Sequence, residues 1–408
     1  MKAEPEHKVI YVLIVSAHNV PGLATLISLG CDIHKVILIS TSGSGFYDAT
    51  ERLKGVITQL NPNWLIEIWP KSMNLSGESY QEMMKWVQQE VKPYYQRHED
   101  YHWMINITGG TKIMPIALLD ALPWTEVHYK AFNYPHLQRW RHQPVYEPLE
   151  DKTIETLSVK SALETYKVIE QIKPNPLDIN PEAVKLANDI WQAYLTYDES
   201  NPTHPHHILT MKLQKAWALG ENTKSVNWPL TDWLPLSEDE TLAWFKKLEV
   251  ISSGSVQVME GKVYFPGSSP KKRHKAFQRW LKGLWFETLI SSWLDSIPGL
   301  LKSHRMQNIR VNDLKREIDF MLIKNNKLIS IEAKVASAPG KAHKSSEIIQ
   351  QIKSIQDIGQ LETLLCISPL FDKMIESEDA KNDFYESCSA NRIRLIKSRS
   401  DLINYCSE

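Results

Sequence analysis

The first 150 residues alternate short apolar runs with amphipathic stretches, and this rhythm narrows the possible folds more than any other feature of the chain. The runs are VIYVLIV (9–15), KVILI (35–39), WLIEIW (64–69), HWMINIT (102–108) and EVHYKAF (126–132). Recurring every few tens of residues, they predict a parallel sheet with helices on its faces, the βαβ pattern of an α/β fold. Such sheets bind ligands beyond the carboxyl ends of their strands. The residues directly after each run are therefore candidate binding positions. Ser16, Ala17, His18 and Asn19 follow the first run, Ser40, Thr41, Ser42, Gly43, Ser44 and Gly45 the second, and Thr108, Gly109, Gly110, Thr111 and Lys112 the end of the fourth. All three segments are small and polar. The last leads into IMPIALLDAL, an apolar helix with Pro115 in its first turn, where a missing N–H costs little. Glycines followed by Thr111 and Lys112 at a helix N-terminus offer N–H groups, a hydroxyl and a cation to an anion. The alternative is a tight strand-to-helix turn and nothing more. The spacing matches neither G-x-x-x-x-G-K-[ST] nor G-x-G-x-x-G, so ATP hydrolysis and NAD binding are not expected.

A chain of 408 residues implies two or three domains. Its 47 Lys and Arg against 48 Asp and Glu leave a net charge of −1, which excludes a uniformly basic nucleic-acid coat and an acidic solvating tail. A local basic channel is still compatible with that balance. The four cysteines, 31, 366, 388 and 406, have no metal-ligand or redox-pair spacing and read as inert thiols in a reducing, cytoplasmic setting. The charged start and short apolar run at the N-terminus do not make a signal peptide. No stretch approaches the length of a membrane span. The expected domains are residues 1–150, a Rossmann-like unit; 151–265, a connector; and 266–408, an α/β domain that carries the chemistry.

The connector reads as a helix over 153–172, a Pro-rich break (173–181), another helix, and a second break, NPTHPHH (201–207). His204, His206 and His207 lie among prolines without a matching acid and read as a solvated loop. Residues 237–248 predict a helix, and 251–266 a hairpin turning at Glu260-Gly261. Helix then hairpin is like the end of a winged helix, read here as a connector because no recognition helix stands out.

In the last third, residues 266–285 hold Lys271, Lys272, Arg273, Lys275, Arg279 and Lys282 with no acid, and Phe277, Trp280 and Trp285 are interleaved. Two readings stand: a track for a phosphate backbone with stacking rings, or a helix with aromatics in the core and charges in water. Glu287 follows on an apolar helix whose Leu284, Leu289 and Trp293 can pack inward; a carboxylate there needs a partner. Residues 316–323 predict a strand, 324–327 a turn, and 328–334 a second strand. In a strand Glu332 and Lys334 point to one face, where Asp319 of the neighbouring strand can meet them. Two carboxylates there can hold a hard divalent cation. Lys334 then positions the attacking water or balances charge on the phosphorane. Together these groups are an apparatus for phosphodiester hydrolysis. The alternative is a surface ion-pair ladder. A helix (SSEIIQQIKSIQDIGQ) and a strand (361–368) complete an α-β-β-α-β order, a restriction-endonuclease-like core.

The order Glu287, Asp319, Glu332-Ala333-Lys334 resembles the PD-(D/E)XK nuclease signature, with Ile318 in place of its proline. The N-terminal part, with its T-G-G-T-K loop, resembles a CARF domain, the CRISPR-associated Rossmann fold. Together they resemble CRISPR ancillary nucleases of CARF–PD-(D/E)XK architecture. This resemblance implies that Glu287, Asp319, Glu332 and Lys334 are catalytic, and that Asp319, Glu332, Glu287 and the Ala333 carbonyl serve Mg²⁺ or Mn²⁺. Glu317, on the strand face of Asp319, is a secondary acid. It implies that Thr108, Gly109, Gly110, Thr111 and Lys112 form the core ligand loop, with Ser16, His18, Thr41 and Ser42 in the other loops. It further implies a homodimer that binds cyclic tetra-adenylate, or cyclic hexa-adenylate, in type III CRISPR antiviral defence and cuts or nicks DNA or RNA. The competing expectation is a CARF-regulated, DNA-binding transcription regulator with an inactive nuclease-like domain.

Overall fold

The computed structural model describes residues 8–29, 33–41, 44–70, 75–131, 136–143, 145–167, 169–171, 180–195, 225–229, 237–252, 254, 256–266, 277, 279–311, 317–335, 345–356, 361–373 and 378–407. All five apolar runs form strands: β1 (Val9–Ile14), β2 (Ile33–Ile39), β3 (Leu65–Trp69), β4 (His102–Asn106) and β5 (Glu126–Tyr129). They pair in parallel in the order β3-β2-β1-β4-β5. Every residue of β1 is buried, as a strand covered on both faces must be. On one face Tyr11 and Leu13 pack with α1 (Val20–Ser28) and α2 (Ser44–Leu60). On the other, Ile10, Val12 and Ile14 meet α3 (Tyr80–Trp86) and α5 (Ile113–Ala121). A π turn (Val87–Val91) joins α3 to α4 (Lys92–Gln96). The strand order reverses between β1 and β4. The loops that follow these two strands therefore open a crevice at the switch point.

Two further strands, β6 (His136–Gln143) and β7 (Val145–Thr153), extend the sheet antiparallel beyond β5. The helix expected over 153–172 is replaced by the end of β7, a short α6 (Val159–Glu164) and β8 (Ile169–Gln171). The signal was hidden because β6 and β7 carry no apolar run. Arg139 and Arg141 of β6 instead pair with buried Glu126 at 2.9 and 2.8 Å. Ser158 starts α6 by accepting the Ser161 N–H. Strand β7 runs through residue 150, so the paired unit continues to Thr153.

Helix α7 (Pro181–Leu195) follows, then β9 (Ser225–Pro229), α8 (Glu238–Ile251) and the hairpin β10 (Gln257–Met259) and β11 (Lys262–Pro266). Glu260 and Gly261 turn the hairpin with φ of 49° and 67°, as a two-residue turn of matching twist requires. Strand β9 pairs with β11 and makes a three-stranded sheet. His204, His206 and His207 lie outside the described residues.

Helix α9 (Trp285–Asp295), entered through a π segment (Trp280–Leu284), leads to β12 (Arg305–Val311), β13 (Glu317–Lys324) and β14 (Lys327–Lys334). After α10 (Ser345–Gln356) come β15 (Glu362–Ile367), α11 (Pro369–Lys373), α12 (Glu378–Ala390), β16 (Ile393–Ile396) and α13 (Arg399–Ser407). The sheet order is β16-β15-β14-β13-β12-β8. Strands β12 to β14 are an antiparallel meander, and β15 and β16 continue parallel to β14. The order is thus α-β-β-β-α-β. Strand β12, RMQNIRV, was not read from the sequence because polar residues break up its apolar pattern. Strand β8, from the connector, closes the sheet edge against β12.

The described aromatics of the basic segment resolve its two readings. Phe277, Trp280 and Trp285 are buried in the core, and the Trp280 indole N–H donates to Thr288 Oγ1 at 2.9 Å. They are packing residues and not a stacking surface. Arg279 and Lys282 are exposed. Lys271, Lys272, Arg273 and Lys275 lie outside the described residues.

Candidate active site and ligand-binding loops

The β13–β14 hairpin turns on Asn325 and Asn326, with φ of 50° and 62°. Both residues sit in the left-handed region, which Asn tolerates better than most side chains. Pairing then runs from Lys324 opposite Lys327 to Phe320 opposite Ile331. The same register carried one pair further sets Asp319 opposite Glu332. Here a side chain takes over the bonding between the strands: the Ala333 N–H donates to Asp319 Oδ2 at 2.8 Å. Lys334 Nζ lies 3.3 Å from Glu332 Oε2. Glu332 Oε1 is buried with no hydrogen-bond partner among the described residues. Half-buried Glu287 on α9 is near enough for its charge to act on Lys334, while Glu317 is exposed at the start of β13. The structure thus brings together Asp319, Glu332, Ala333 and Lys334, with Glu287 beside them.

Burial pushes the Glu332 carboxyl up to about 8; the Asp319 charge adds to the shift and Lys334 opposes it. Burial also raises Asp319, against Lys334 and the Ala333 N–H. Lys334 is raised: burial alone would lower it, but Glu332, Asp319 and Glu287 outweigh that effect. In so dry a place burial favours the neutral form of both carboxyls, and the Asp319 charge adds to the effect at Glu332. An orphaned carboxylate oxygen beside a second carboxyl offers oxygen donors of the kind that suit Mg²⁺ or Mn²⁺. Among the described residues no three His, Cys, Asp or Glu side chains group as a metal cluster. The fit rests on the two carboxyls, Asp319 and Glu332.

A stability test follows. Because the folded-state pKa of Glu332 is raised, the fold binds the extra proton, and stability is lost as pH rises from the ordinary carboxylate range through about 8. Metal-free protein is expected to melt roughly 5 °C lower at pH 8 than at pH 5.5. The Glu332→Gln variant keeps the shape without the charge and is expected to lose much of that slope. Mn²⁺ is expected to restore stability at pH 8 in the native chain and not in the variant. Equal slopes and equal Mn²⁺ responses in the two proteins would remove the cation from this site.

At the other sheet, the loop after β1 is ordered by its own side chains. The Ser16 N–H donates to Asn19 Oδ1 at 2.9 Å, the Ser16 hydroxyl to the His18 carbonyl at 3.0 Å, and the His18 N–H to Ser16 Oγ at 3.1 Å. Burial pushes the half-buried His18 imidazole below its ordinary value, and the ring sits 6.0 Å from that of Tyr166. In the loop after β4, the Thr108 N–H donates to Asn106 Oδ1, and Thr108 Oγ1 accepts the Lys130 N–H, each at 2.9 Å. The Thr111 hydroxyl donates to the Gly77 carbonyl. A Cβ on Gly109 would meet the Ile14 carbonyl oxygen at 2.0 Å, and Gly110 has φ of 77°. The glycines are therefore required by close approach to β1. Beyond them Lys112 is exposed and stands at the N-cap of α5. Thr41 is half-buried after β2, and Ser42 lies outside the described residues.

Two buried residues hold these loops, Asn19 and Asn106, 4% and 0% exposed; the sequence reading placed Asn19 in the loop without this role and did not single out Asn106. Asn19 precedes Val-Pro at a helix start, a legible N-terminal signal. Asn106 ends an apolar strand, and nothing in the sequence marks its role.

Residues 10–161 match the family model of the Card1 CARF domain. The fold of the whole chain is similar to protein VC1899 from Vibrio cholerae, at a TM-score of 0.65 and 15% identity, covering 98% of this chain and 96% of that one. It is also similar to Can2 from Sulfobacillus thermosulfidooxidans, solved in complex with cyclic tetra-adenylate, at a TM-score of 0.63 and 18% identity over 97% of each chain. At these identities the likeness is one of fold. No curated protein sequence matches the chain. No helix among the described residues is long and apolar enough to cross a membrane. The strand order, the polar loops at the switch point and the matched family model agree that residues 10–161 are a CARF domain.

Proposed function

We propose that the protein is a cyclic-oligoadenylate-activated, metal-dependent nuclease of type III CRISPR defence. The observation that carries the reading is the pairing of Asp319 and Glu332 beside Lys334, with one buried carboxylate oxygen unpartnered, in a chain that also bears a CARF domain. Asp319, Glu332 and the Ala333 carbonyl would hold Mg²⁺ or Mn²⁺, which when bound supplies charge neutralisation at the scissile phosphate and a more acidic water. Lys334, kept charged by the carboxylates around it, faces the charge that develops on the phosphate and orients the attacking water. Glu287 steadies that lysine from α9. The α-β-β-β-α-β order of this part of the chain, with Asp319 and Glu332 on neighbouring strands, supports a restriction-endonuclease-like reading.

On the CARF side the ligand is a cyclic tetra-adenylate, the molecule with which the similarly folded Can2 was solved. Lys112 and N–H groups of the Gly109–Lys112 loop hold phosphate, as a helix N-terminus favours. Ser16 and Asn19 keep the facing loop in shape. Two copies pair around a two-fold ring, so the ring joins the CARF domains, and the nuclease domains meet the nucleic acid together. The ring acts by binding the active arrangement more tightly than the resting one.

The test is a cleavage assay on supercoiled plasmid, single-stranded DNA and single-stranded RNA. Each is incubated with Mn²⁺ or Mg²⁺, with and without cyclic tetra-adenylate or cyclic hexa-adenylate. Cleavage is expected to require metal and to rise many-fold over its basal rate with one of the rings. Ring binding without cleavage under every condition would favour the transcription regulator instead.

A further inference from the structure

Between the ligand loops and the catalytic strands lies one stitched segment, described over residues 154–167 and 169–171. At its CARF end Tyr166, just past α6, meets the His18 ring. The Glu155 N–H donates to Ser28 Oγ at the end of α1, at 2.9 Å. On its other side, α6 packs against β12, β13 and β14. One apolar layer runs from Leu13 and Leu53 through Val159, Ala162 and Leu163 to Ile318, Met321 and Ile323. A polar clamp then joins the segment to the catalytic hairpin. Asn326 Oδ1 accepts the Leu157 N–H at 2.8 Å, and Asn326 Nδ2 donates to the Glu155 carbonyl at 2.9 Å. Asn326 is 6% exposed.

We propose that Asn326 is a positioning residue that couples the ligand loops to the catalytic carboxyls through the β13–β14 hairpin; this deepens the reading above and rests on it. The hairpin is a lever with Asn326 at its turn and Asp319 and Glu332 at its open end. Five register pairs lie between the turn and the Asp319–Glu332 end, which stand about 20 Å of strand apart. A paired ribbon moves as a unit, so a shift of 154–158 imposed by the ligand loops reaches the carboxyls through this clamp. Asn326 touches neither catalytic side chain. It acts by fixing where their strands stand. The readout that distinguishes coupling from mere contact is the ring dependence of cleavage and exchange.

Asn326→Gly suits the test because glycine keeps the positive φ and removes only the clamp. Asn326→Asp keeps the acceptor for Leu157 and loses the donor to Glu155. Full-length protein is studied with cyclic tetra-adenylate and Mn²⁺. For Asn326→Gly, ring affinity and cleavage without ring are expected to stay within about twofold of native. The ratio of ring-stimulated to unstimulated cleavage is expected to fall at least tenfold, with kcat lost and KM unchanged. Asn326→Asp is expected to lie between the two. Hydrogen exchange gives a readout without activity: ring binding is expected to alter exchange over 317–334 in the native chain and not in Asn326→Gly. A native stimulation ratio in Asn326→Gly, or a native exchange response, overturns the proposal. A native chain that binds no ring or shows no ring-dependent cleavage sinks the proposed function instead, and the coupling with it.

Discussion

Replacing Lys334 by Ala, or Glu332 by Gln, is expected to lower metal-dependent cleavage by about a thousandfold or more while leaving ring affinity unchanged. Removing one well-placed electrostatic group from a dry site costs on the order of 3–4 kcal/mol of transition-state stabilisation. Lys334 is such a group: its ammonium lies 3.3 Å from Glu332 and is held charged by the carboxylates around it. Glu332→Gln removes the charge and keeps the shape, so its loss tests the donor set and not the packing. The two variants should part in their melting behaviour. Glu332→Gln relieves a repelled, buried carboxyl and is expected to match or exceed native stability at pH 8. Lys334→Ala leaves two buried carboxyls without their counter-charge and is expected to be less stable there. The measurement is initial cleavage rate at saturating ring and Mn²⁺, with ring binding followed by calorimetry. Glu332→Gln cutting at a tenth of the native rate or better would remove the assignment of this site.

The sequence made the parallel sheet and the catalytic strands legible for the same reason. β1, β2 and β4 are buried almost throughout and had to be apolar runs, and charges at the ends of β13 and β14 stand out against such strands. Strands that lie at edges or carry polar pairs left no such mark. In β6, Arg139 and the exposed Arg141 pair with buried Glu126, and in β12 polar residues interrupt the apolar pattern. The hairpin turn was readable as Asn-Asn between apolar runs. Its second task was not, because the Asn326 bonds reach back about 170 positions to Glu155 and Leu157. The basic segment was ambiguous in the other direction. Interleaved aromatics fit a stacking surface as well as a buried helix stripe, and only packing separates them.

The T-G-G-T-K loop permits a paired test of what shapes the ligand site and what touches the ligand. Gly109→Ala is expected to abolish ring binding and to lower stability by roughly 2–4 kcal/mol. Its Cβ would stand 2.0 Å from the Ile14 carbonyl oxygen. That atom belongs to the backbone of the central strand and cannot yield as a flexible side chain can. The loop must therefore lift away from β1, carrying the Gly110–Lys112 N–H groups out of place. Lys112→Ala removes an exposed ammonium with no packing role. It is expected to leave the melting temperature within about 1 °C and to weaken ring binding some tenfold to a hundredfold. That loss matches the roughly 1.5–3 kcal/mol of one charge-assisted hydrogen bond. Saturating ring should then restore near-native cleavage in Lys112→Ala, since the hairpin clamp and the catalytic strands are untouched, and should restore none in Gly109→Ala. Calorimetric titration with cyclic tetra-adenylate, beside thermal melts of both variants, separates these outcomes. Native ring affinity in Lys112→Ala would move the phosphate contact off this lysine. Native affinity in Gly109→Ala would mean that the ring does not bind at the switch point.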